Sequence, residues 1–204
     1  MTFNETLRLF KADLRRRIWL ENQKFTLWQA LKILYKRGVV LVFIYRLKRY
    51  FFLKNSKPFK LFIWLLRIPE YQYCHSEIDP AADIAEGLVL SDFGGIGISF
   101  YNIIGKNCTF VGRGTPTLGA MEDVNHAEDK IKIGDYCVIG PNVRIVNPVS
   151  IASGTQIKAN SVVMSSISTE GSLVSGFPAK EIAVIPIEMV MQWSPILSRC
   201  VQAA

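Results

Sequence analysis

Between Ile78 and about Val184 the chain repeats a six-residue unit whose first member is aliphatic, in runs separated by a slip and a longer break. The spacing is cleanest from Ile133, where Ile133, Ile139, Ile145, Ile151 and Ile157 open five units in a single phase. Upstream, Ile78, Ile84, Leu90 and Ile96 open units of the same length. After a two-residue slip over Ser99–Ile103, Ile104 and Phe110 resume the phase. Such a period is the signature of a parallel β-helix, whose coils stack one on the next. One aliphatic side chain per unit points into a narrow prism. A small residue four places later (Ala82, Cys108, Cys137, Thr155 or Ser161) shares that interior. Glycine or asparagine near the corners supplies the backbone freedom for the bends. Three units make a triangular coil of about eighteen residues.

Charge divides the chain. Residues 1–70 hold 16 Lys/Arg against 4 Asp/Glu, a net of +12, and residues 71–204 hold 8 against 13, a net of −5. The basic half is the N-terminal segment alone, which argues against nucleic acid as a partner of the coils. Of the four cysteines, Cys108 and Cys137 occupy the small inward position, so buried free thiols are expected rather than a disulfide framework. The N-terminus is charged and lacks an apolar core followed by a small-residue cleavage site, so the expected compartment is the reducing cytoplasm.

The N-terminal segment reads as helices. Phe3, Leu7, Phe10, Leu14 and Ile18 recur at helical spacing over residues 2–20, with Thr2 and Asn4 able to cap and Arg15–Arg17 at the far end. A second helical stretch is predicted from about Thr26 to Leu53. Its apolar run Val39–Tyr45 is too short, and too soon interrupted by Arg46, Lys48 and Arg49, to span a bilayer. Lys54–Pro58 reads as a turn, and a third helix, Phe59–Ile68, ends at Pro69. The expected division is a basic amphipathic helical segment at 1–70, a β-helix at 71–186, and a tail at 187–204. In the tail, Ile187–Cys200 forms a short helix broken by Pro195. Trp19, Trp28, Phe51, Phe52 and Trp64 give the helices more apolar surface than an isolated hairpin would bury. That surface either packs in a trimer or on the base of the β-helix, or it attaches to an anionic inner leaflet. In the second case each nearby Lys or Arg contributes about 1 kcal/mol. The two readings are compatible, because one face can pack while cations snorkel on the other.

Two irregularities interrupt the coils: the slip at Ser99–Ile103 and the polar, acidic loop Gly119–Lys130. Loops thrown out of a solenoid lie on one face and often carry function.

Several blocks together resemble a known family: Glu77-Ile-Asp-Pro-Ala-Ala-Asp-Ile, Phe93-Gly-Gly-Ile, Ile104-Gly-Lys-Asn-Cys, Ile133-Gly-Asp-Tyr-Cys-Val-Ile-Gly, Ile157-Lys-Ala-Asn-Ser-Val-Val and Gly176-Phe-Pro-Ala-Lys. Over about residues 40–184 the chain resembles the hexapeptide-repeat acyltransferases. The resemblance is to their serine acetyltransferase-like branch, which includes polysaccharide O-acetyltransferases. It implies a mainly β fold, a left-handed parallel β-helix behind an N-terminal α-helical extension. It also implies a homotrimer, acetyl-CoA as acyl donor, and active sites between neighbouring subunits. The basic, hydrophobic lead-in looks more like the polysaccharide-modifying members, with a carbohydrate hydroxyl as acceptor.

The chain departs from the family at the base. Where the family carries a histidine, the line reads Leu90-Ser91-Asp92-Phe93-Gly94-Gly95-Ile96. An imidazole near pKa 6.5 suits proton abstraction from a hydroxyl, whereas a solvated carboxylate near about 3.9 is a much weaker base. Only two histidines are present. His75 precedes the first coil and reads as structural. His126 lies in the Gly119–Lys130 loop, close to where the family places a second histidine. One reading folds this loop over the site: Asp92 orients the His126 ring and stabilises its cation, and the other ring nitrogen acts as base. The other leaves Asp92 as a corner residue bonded to local backbone and His126 as a solvated loop residue. For the donor, the resemblance points to Pro141 (usually Ala in the family), Ala159 and Lys180, with Lys158 and Lys180 meeting phosphates as point charges. Gly94 and Gly95 would admit close backbone approach to the reacting centre, as oxyanion donors.

Three functions follow in decreasing order of support. The first is O-acetyl transfer from acetyl-CoA to a sugar hydroxyl of a surface polysaccharide or its precursor. The second is a catalytically impaired trimeric scaffold that keeps the fold, favoured by Asp92. The third, a zinc carbonic anhydrase on the same coils, needs three histidine ligands per site and is excluded by the histidine count, so no metal is expected. The protein is placed in the cytoplasm, in peripheral contact with the inner membrane face through residues 1–70.

Overall fold

The computed structural model describes residues 1–21, 32–55, 57–90, 94–100, 102–111, 117–119, 130–146 and 148–191, with backbone alone at 57, 58 and 117–119. Three helices whose full length is described precede the coils: α1 (Phe3–Leu20), α2 (Arg37–Lys54) and α3 (Lys57–Pro69). α1 opens on a capping box. Thr2 Oγ1 accepts from the Glu5 amide at 3.2 Å, and the Glu5 carboxylate accepts from the Thr2 amide at 2.7 Å.

The single helix expected over Thr26–Leu53 is broken. Residues 32–34 are helical, the chain turns at Tyr35 and Lys36, and Lys36 is extended (φ −68°, ψ 132°) at the start of α2. The Lys36 ammonium reaches back to Glu21 at 2.7 Å, which ties the break to the end of α1. Trp28 and its neighbours at 22–31 lie outside the described residues. The turn expected over Lys54–Pro58 is shorter than that. Left-handed Asn55 (φ 45°) ends α2, and α3 begins at Lys57 with Pro58 in its first turn, where a missing N–H costs nothing. α3 runs through Pro69 into a π-helical turn, Glu70–Cys74, closed by left-handed His75.

The coils wind through three parallel sheets. The first face stacks Ile78, Ile98, Leu118, Ile145 and Val163. The second stacks Ile84, Ile104, Ile133 and Ile151, and the third Leu90, Phe110, Ile139, Ile157 and Val174. The small inward residues Ala82, Cys108, Cys137, Thr155 and Ser161 are fully buried, as their spacing predicts. Several are also donors. The Cys108 thiol reaches Gly134 O (3.1 Å), the Cys137 thiol reaches Ala152 O (3.3 Å), and Thr155 Oγ1 reaches Ala152 O (2.7 Å). The position therefore takes a side chain small enough for the prism and able to satisfy an inner carbonyl.

The register differs from the sequence reading at one place. Ile98, not Ile96, pairs with Ile78, and Ile98 to Ile104 keeps the six-residue step. The two extra residues therefore fall within 91–97 and not at Ser99–Ile103. Aliphatic residues at both 96 and 98 hide the shift, and Ile96 is itself buried. The same corner is widened again in the next coil, where Phe110 and Leu118 are the paired positions. In the later coils the corner returns to six, from Ile139 to Ile145 and from Ile157 to Val163.

The helices close the open end of the solenoid. In each later coil the carbonyl of an inward aliphatic residue accepts from an amide of the coil before it, as Ile98 does from Asp79 (2.9 Å) and Ile104 from Ala85 (2.9 Å). The first coil has no predecessor, and basic side chains replace the missing amides. Lys48 donates to Ile78 O (2.8 Å), Arg46 to Ile84 O (2.6 Å) and Arg17 to Leu90 O (2.7 Å), one cation per face. Arg16 adds bonds to Gly87 O (2.6 Å) and Cys108 O (2.8 Å), and Tyr45 OH one to Ala82 O (2.8 Å). Carboxylates serve the amides of the same edge: Glu70 accepts from Ile78 N–H (2.9 Å), and Asp13 from Gly87 and Leu88 N–H (2.7 and 2.8 Å). Asp13 pairs with Arg46 and Glu70 with Lys48, all four buried. Leu41, Val42, Ile44 and Tyr45 of α2 belong to the same apolar core as the coil interior.

At the other end, strand Ser172–Gly176 turns through Phe177–Pro178 and pairs antiparallel with Ala179–Val184. Residues 187–191 are helical, and the remainder of the tail, with Pro195, lies outside the described residues.

Candidate functional site

The corner between the third and first faces gathers most of the predicted site residues. Gly94 and Gly95 lie in its first turn, Pro141 in a later one, and Lys158 and Ala159 in the next. The later turns stack closely. Gly140 N–H donates to Ile157 O (2.8 Å), Asn160 N–H to Pro141 O (2.9 Å), and Asn142 Nδ2 to Asn160 Oδ1 (2.9 Å). A Cβ at Gly140 would lie 2.7 Å from Ile157 O and 2.8 Å from the Ala159 nitrogen, so only glycine permits this spacing. Pro141 is half-buried, while Ala159 and Lys158 are exposed. Lys158 N–H donates to Val174 O (2.9 Å), and the neighbouring Ser175 pairs with Lys180 across the hairpin. Lys158 and Lys180 thus lie near one another in the sheet, both exposed. Small residues with two adjacent cations suit a narrow polyanionic ligand.

The two glycines have a different role from the expected one. A Cβ at Gly94 would come within 2.7 Å of Cys74 O and 3.3 Å of His75 Cβ, and Gly94 and Gly95 both have positive φ (76° and 78°). Gly95 N–H donates to His75 O at 2.7 Å, and Ile96 N–H to Ser76 Oγ at 3.1 Å. The space beside Gly94 and the amide of Gly95 are taken up by the end of the π-helical turn, so at both positions the chain approaches itself. His75, read from sequence as remote, sits against the same corner with an exposed side chain. The missed signal is positional: His75 lies twenty residues before Gly95, the length of the widened first coil.

Asp92 falls in sequence between Leu90 and Gly94 and His126 between Gly119 and Lys130, and both lie outside the described residues. Two of the described cysteines have thiols held protonated near neutral pH. Burial, reinforced by Glu70, pushes the Cys74 thiol up to about 11. Contact with the Cys108 thiol, together with burial, raises Cys137. Among the described residues no group of three or more His, Cys, Asp or Glu is placed to hold a metal.

Residues 130–165 match the bacterial transferase hexapeptide (six repeats) family. The chain carries a transferase hexapeptide repeat. Arabidopsis thaliana serine acetyltransferase 2 is 31% identical over 109 residues, 53% of this chain and 32% of that protein. The bifunctional protein GlmU of Francisella philomiragia is 30% identical over 114 residues, 49% of this chain and 24% of that one. The chain thus spans a third or less of the curated relatives it matches. Among solved structures, serine acetyltransferase of Neisseria gonorrhoeae superposes with a TM-score of 0.75 at 24% identity, over 90% of this chain and 68% of that one. The Brucella abortus enzyme, solved in complex with coenzyme A, gives 0.73 at 20%, over 89% and 69%. At these identities the superpositions establish the shared fold: a hexapeptide-repeat β-helix with helices at its N-terminal end.

Proposed function

We propose that this chain moves an acetyl group from acetyl-CoA to a hydroxyl on a sugar of a surface polysaccharide or of its lipid-linked precursor. The observation that carries this reading is the corner between the third and first faces. It is widened where Asp92 falls, it is narrow and lined by Pro141 and Ala159 beyond that, and it ends at Lys158 and Lys180. A thioester arm laid along the small residues puts its phosphates at the lysines and its acyl group toward the widened turns.

The hydroxyl oxygen attacks the thioester carbonyl. A C–O bond forms, the C–S bond breaks, and the hydroxyl proton is taken by the base and returned to the departing sulfur. His126 supplies the base, and Asp92 orients it and stabilises its cation. The chain works as a homotrimer in the cytoplasm. A lipid-linked acceptor is met at the inner membrane face, with residues 1–70 in contact with anionic lipid. A second reading, a trimeric scaffold without chemistry, is favoured by the carboxylate at Asp92, the position of the family histidine.

The deciding experiment incubates the purified full chain with acetyl-CoA and carbohydrate acceptors and follows free thiol. Acceptor-dependent release above the protein-free rate supports transfer. Coenzyme A binding by calorimetry without thiol release supports the scaffold.

A further inference from the structure

The sequence offers all of residues 1–70 as a basic surface, but in the structure many of its sixteen Lys and Arg are already engaged within the chain. Arg16, Arg17, Arg46, Lys48 and Arg49 bond to carbonyls of the coils, Lys36 pairs with Glu21, and Arg8 with Glu86. Cations held in this way are not available to lipid phosphates.

α3 is different. Phe59, Ile63 and Leu66 form one partly buried stripe, with Phe59 against Phe51 (5.1 Å between centroids) and Leu66 on the core. Leu61, Trp64, Leu65 and Ile68 fall between those positions and remain 43–60% exposed. The helix is therefore apolar on its outer side as well, which is unusual for an element facing water. It carries Lys57, Lys60 and Arg67, the last paired with Glu77 at 2.6 Å, and no acidic residue. At 13 residues it is about 20 Å long, well short of a bilayer's hydrocarbon core of about 30 Å. Among the described residues no helix is long and apolar enough to cross a membrane. A second copy of α3 is a poor partner for this face, because a two-fold contact would bring like charges together.

We infer that α3 is the membrane-docking element. It lies in the plane of an anionic bilayer, with Leu61, Trp64, Leu65 and Ile68 toward the acyl chains and Lys60 at the headgroup phosphates. This localises the membrane contact proposed above and does not depend on acetyl transfer.

The test uses the full chain, because removing residues 1–69 would uncover the first coil. Sedimentation is measured with mixed phosphatidylcholine–phosphatidylglycerol vesicles and with pure phosphatidylcholine. The wild type is expected to bind the mixed vesicles, more weakly at high salt. L61E/W64E should lower that binding at least about tenfold, and K57E/K60E should lower it less. K11E/R15E on α1 should leave it unchanged. Circular dichroism and light scattering on each variant check fold and mass. Wild-type binding by L61E/W64E overturns the assignment. If K11E/R15E abolishes binding instead, the protein still binds membrane but α3 is not the contact. A fall in mass for L61E/W64E makes the face an interface between copies and also overturns it. Equal binding to both vesicle types makes the charge incidental and overturns docking to an anionic surface, and binding to neither removes the membrane reading itself.

Discussion

The proposed chemistry rests on two side chains of opposite expected charge, Asp92 and His126. If His126 is the base, His126→Ala lowers turnover by roughly 10²–10⁴-fold in the thiol-release assay. Asp92→Asn lowers it too, because an amide cannot stabilise the imidazolium. The double variant is little worse than the worse single, since residues that act as a unit are not additive. Asp92→His restores activity in the His126→Ala background if the corner is otherwise competent. Near-wild-type turnover in His126→Ala, with no gain from Asp92→His, removes the pair as the catalytic assignment. At this scale the sequence was readable where a period fixed the environment. Cys108, Cys137 and Thr155 were assigned inside from spacing alone, and they are inside. It was not readable for Gly94 and Gly95. Their reason lies in Cys74 and His75, about twenty residues away, and nothing local distinguishes a glycine that admits a substrate from one that admits its own chain.

At the scale of elements, the cap on the first coil decides stability. Lys48 and Glu70 are buried together, and each also bonds to backbone of Ile78. Lys48→Met leaves the Glu70 carboxylate and the Ile78 carbonyl without this partner, and a buried pair broken on one side costs about 3–5 kcal/mol. Lys48→Met/Glu70→Leu should recover much of that loss, and the urea midpoints of the three proteins measure both effects. Tyr45 gives the cap a pH limit. Burial raises its hydroxyl from 10 to about 12, so the folded state holds the proton longer than the unfolded chain does. The contribution is full below pH 10 and is lost as pH rises through about 12, by roughly 2–3 kcal/mol in all. The stability advantage of wild type over Tyr45→Phe should shrink across that window in denaturant titrations, and a constant difference would contradict the assignment. None of this cap was visible in the sequence beyond an excess of charge. Which of the cations in residues 1–70 address carbonyls depends on the phase of α1 and α2 over the coil edge, and composition carries no such phase.

For the whole molecule, the faces available for assembly can be named. The outer side of the third face is already covered: Val89, Thr109, Val138 and Gln156 point away from the prism yet are buried. The first and second faces keep exposed residues such as Arg144, Asp83, Lys132 and Ser150. The proposed homotrimer would use those faces and their corners, and light scattering at micromolar concentration should then give three times the monomer mass of 23.0 kDa. The topology adds a sharper consequence. The turn containing Asp92 joins the third face to the first, whereas the segment containing His126 joins the first face to the second. Within one chain these corners lie at opposite edges of the first face. In the proposed homotrimer, a three-fold axis can set the first-to-second corner of one subunit beside the third-to-first corner of its neighbour. The pair should therefore form between subunits, and two inactive variants should complement each other. Asp92→Asn and His126→Ala, co-expressed in equal amounts and purified together without separating the homotrimers, should regain about a quarter of the wild-type sites, because random assembly places both intact residues at one site in four. Mixing the same two proteins after purification, without subunit exchange, should regain none. Mixed trimers as inactive as either parent would place the pair within a single chain or dissolve it.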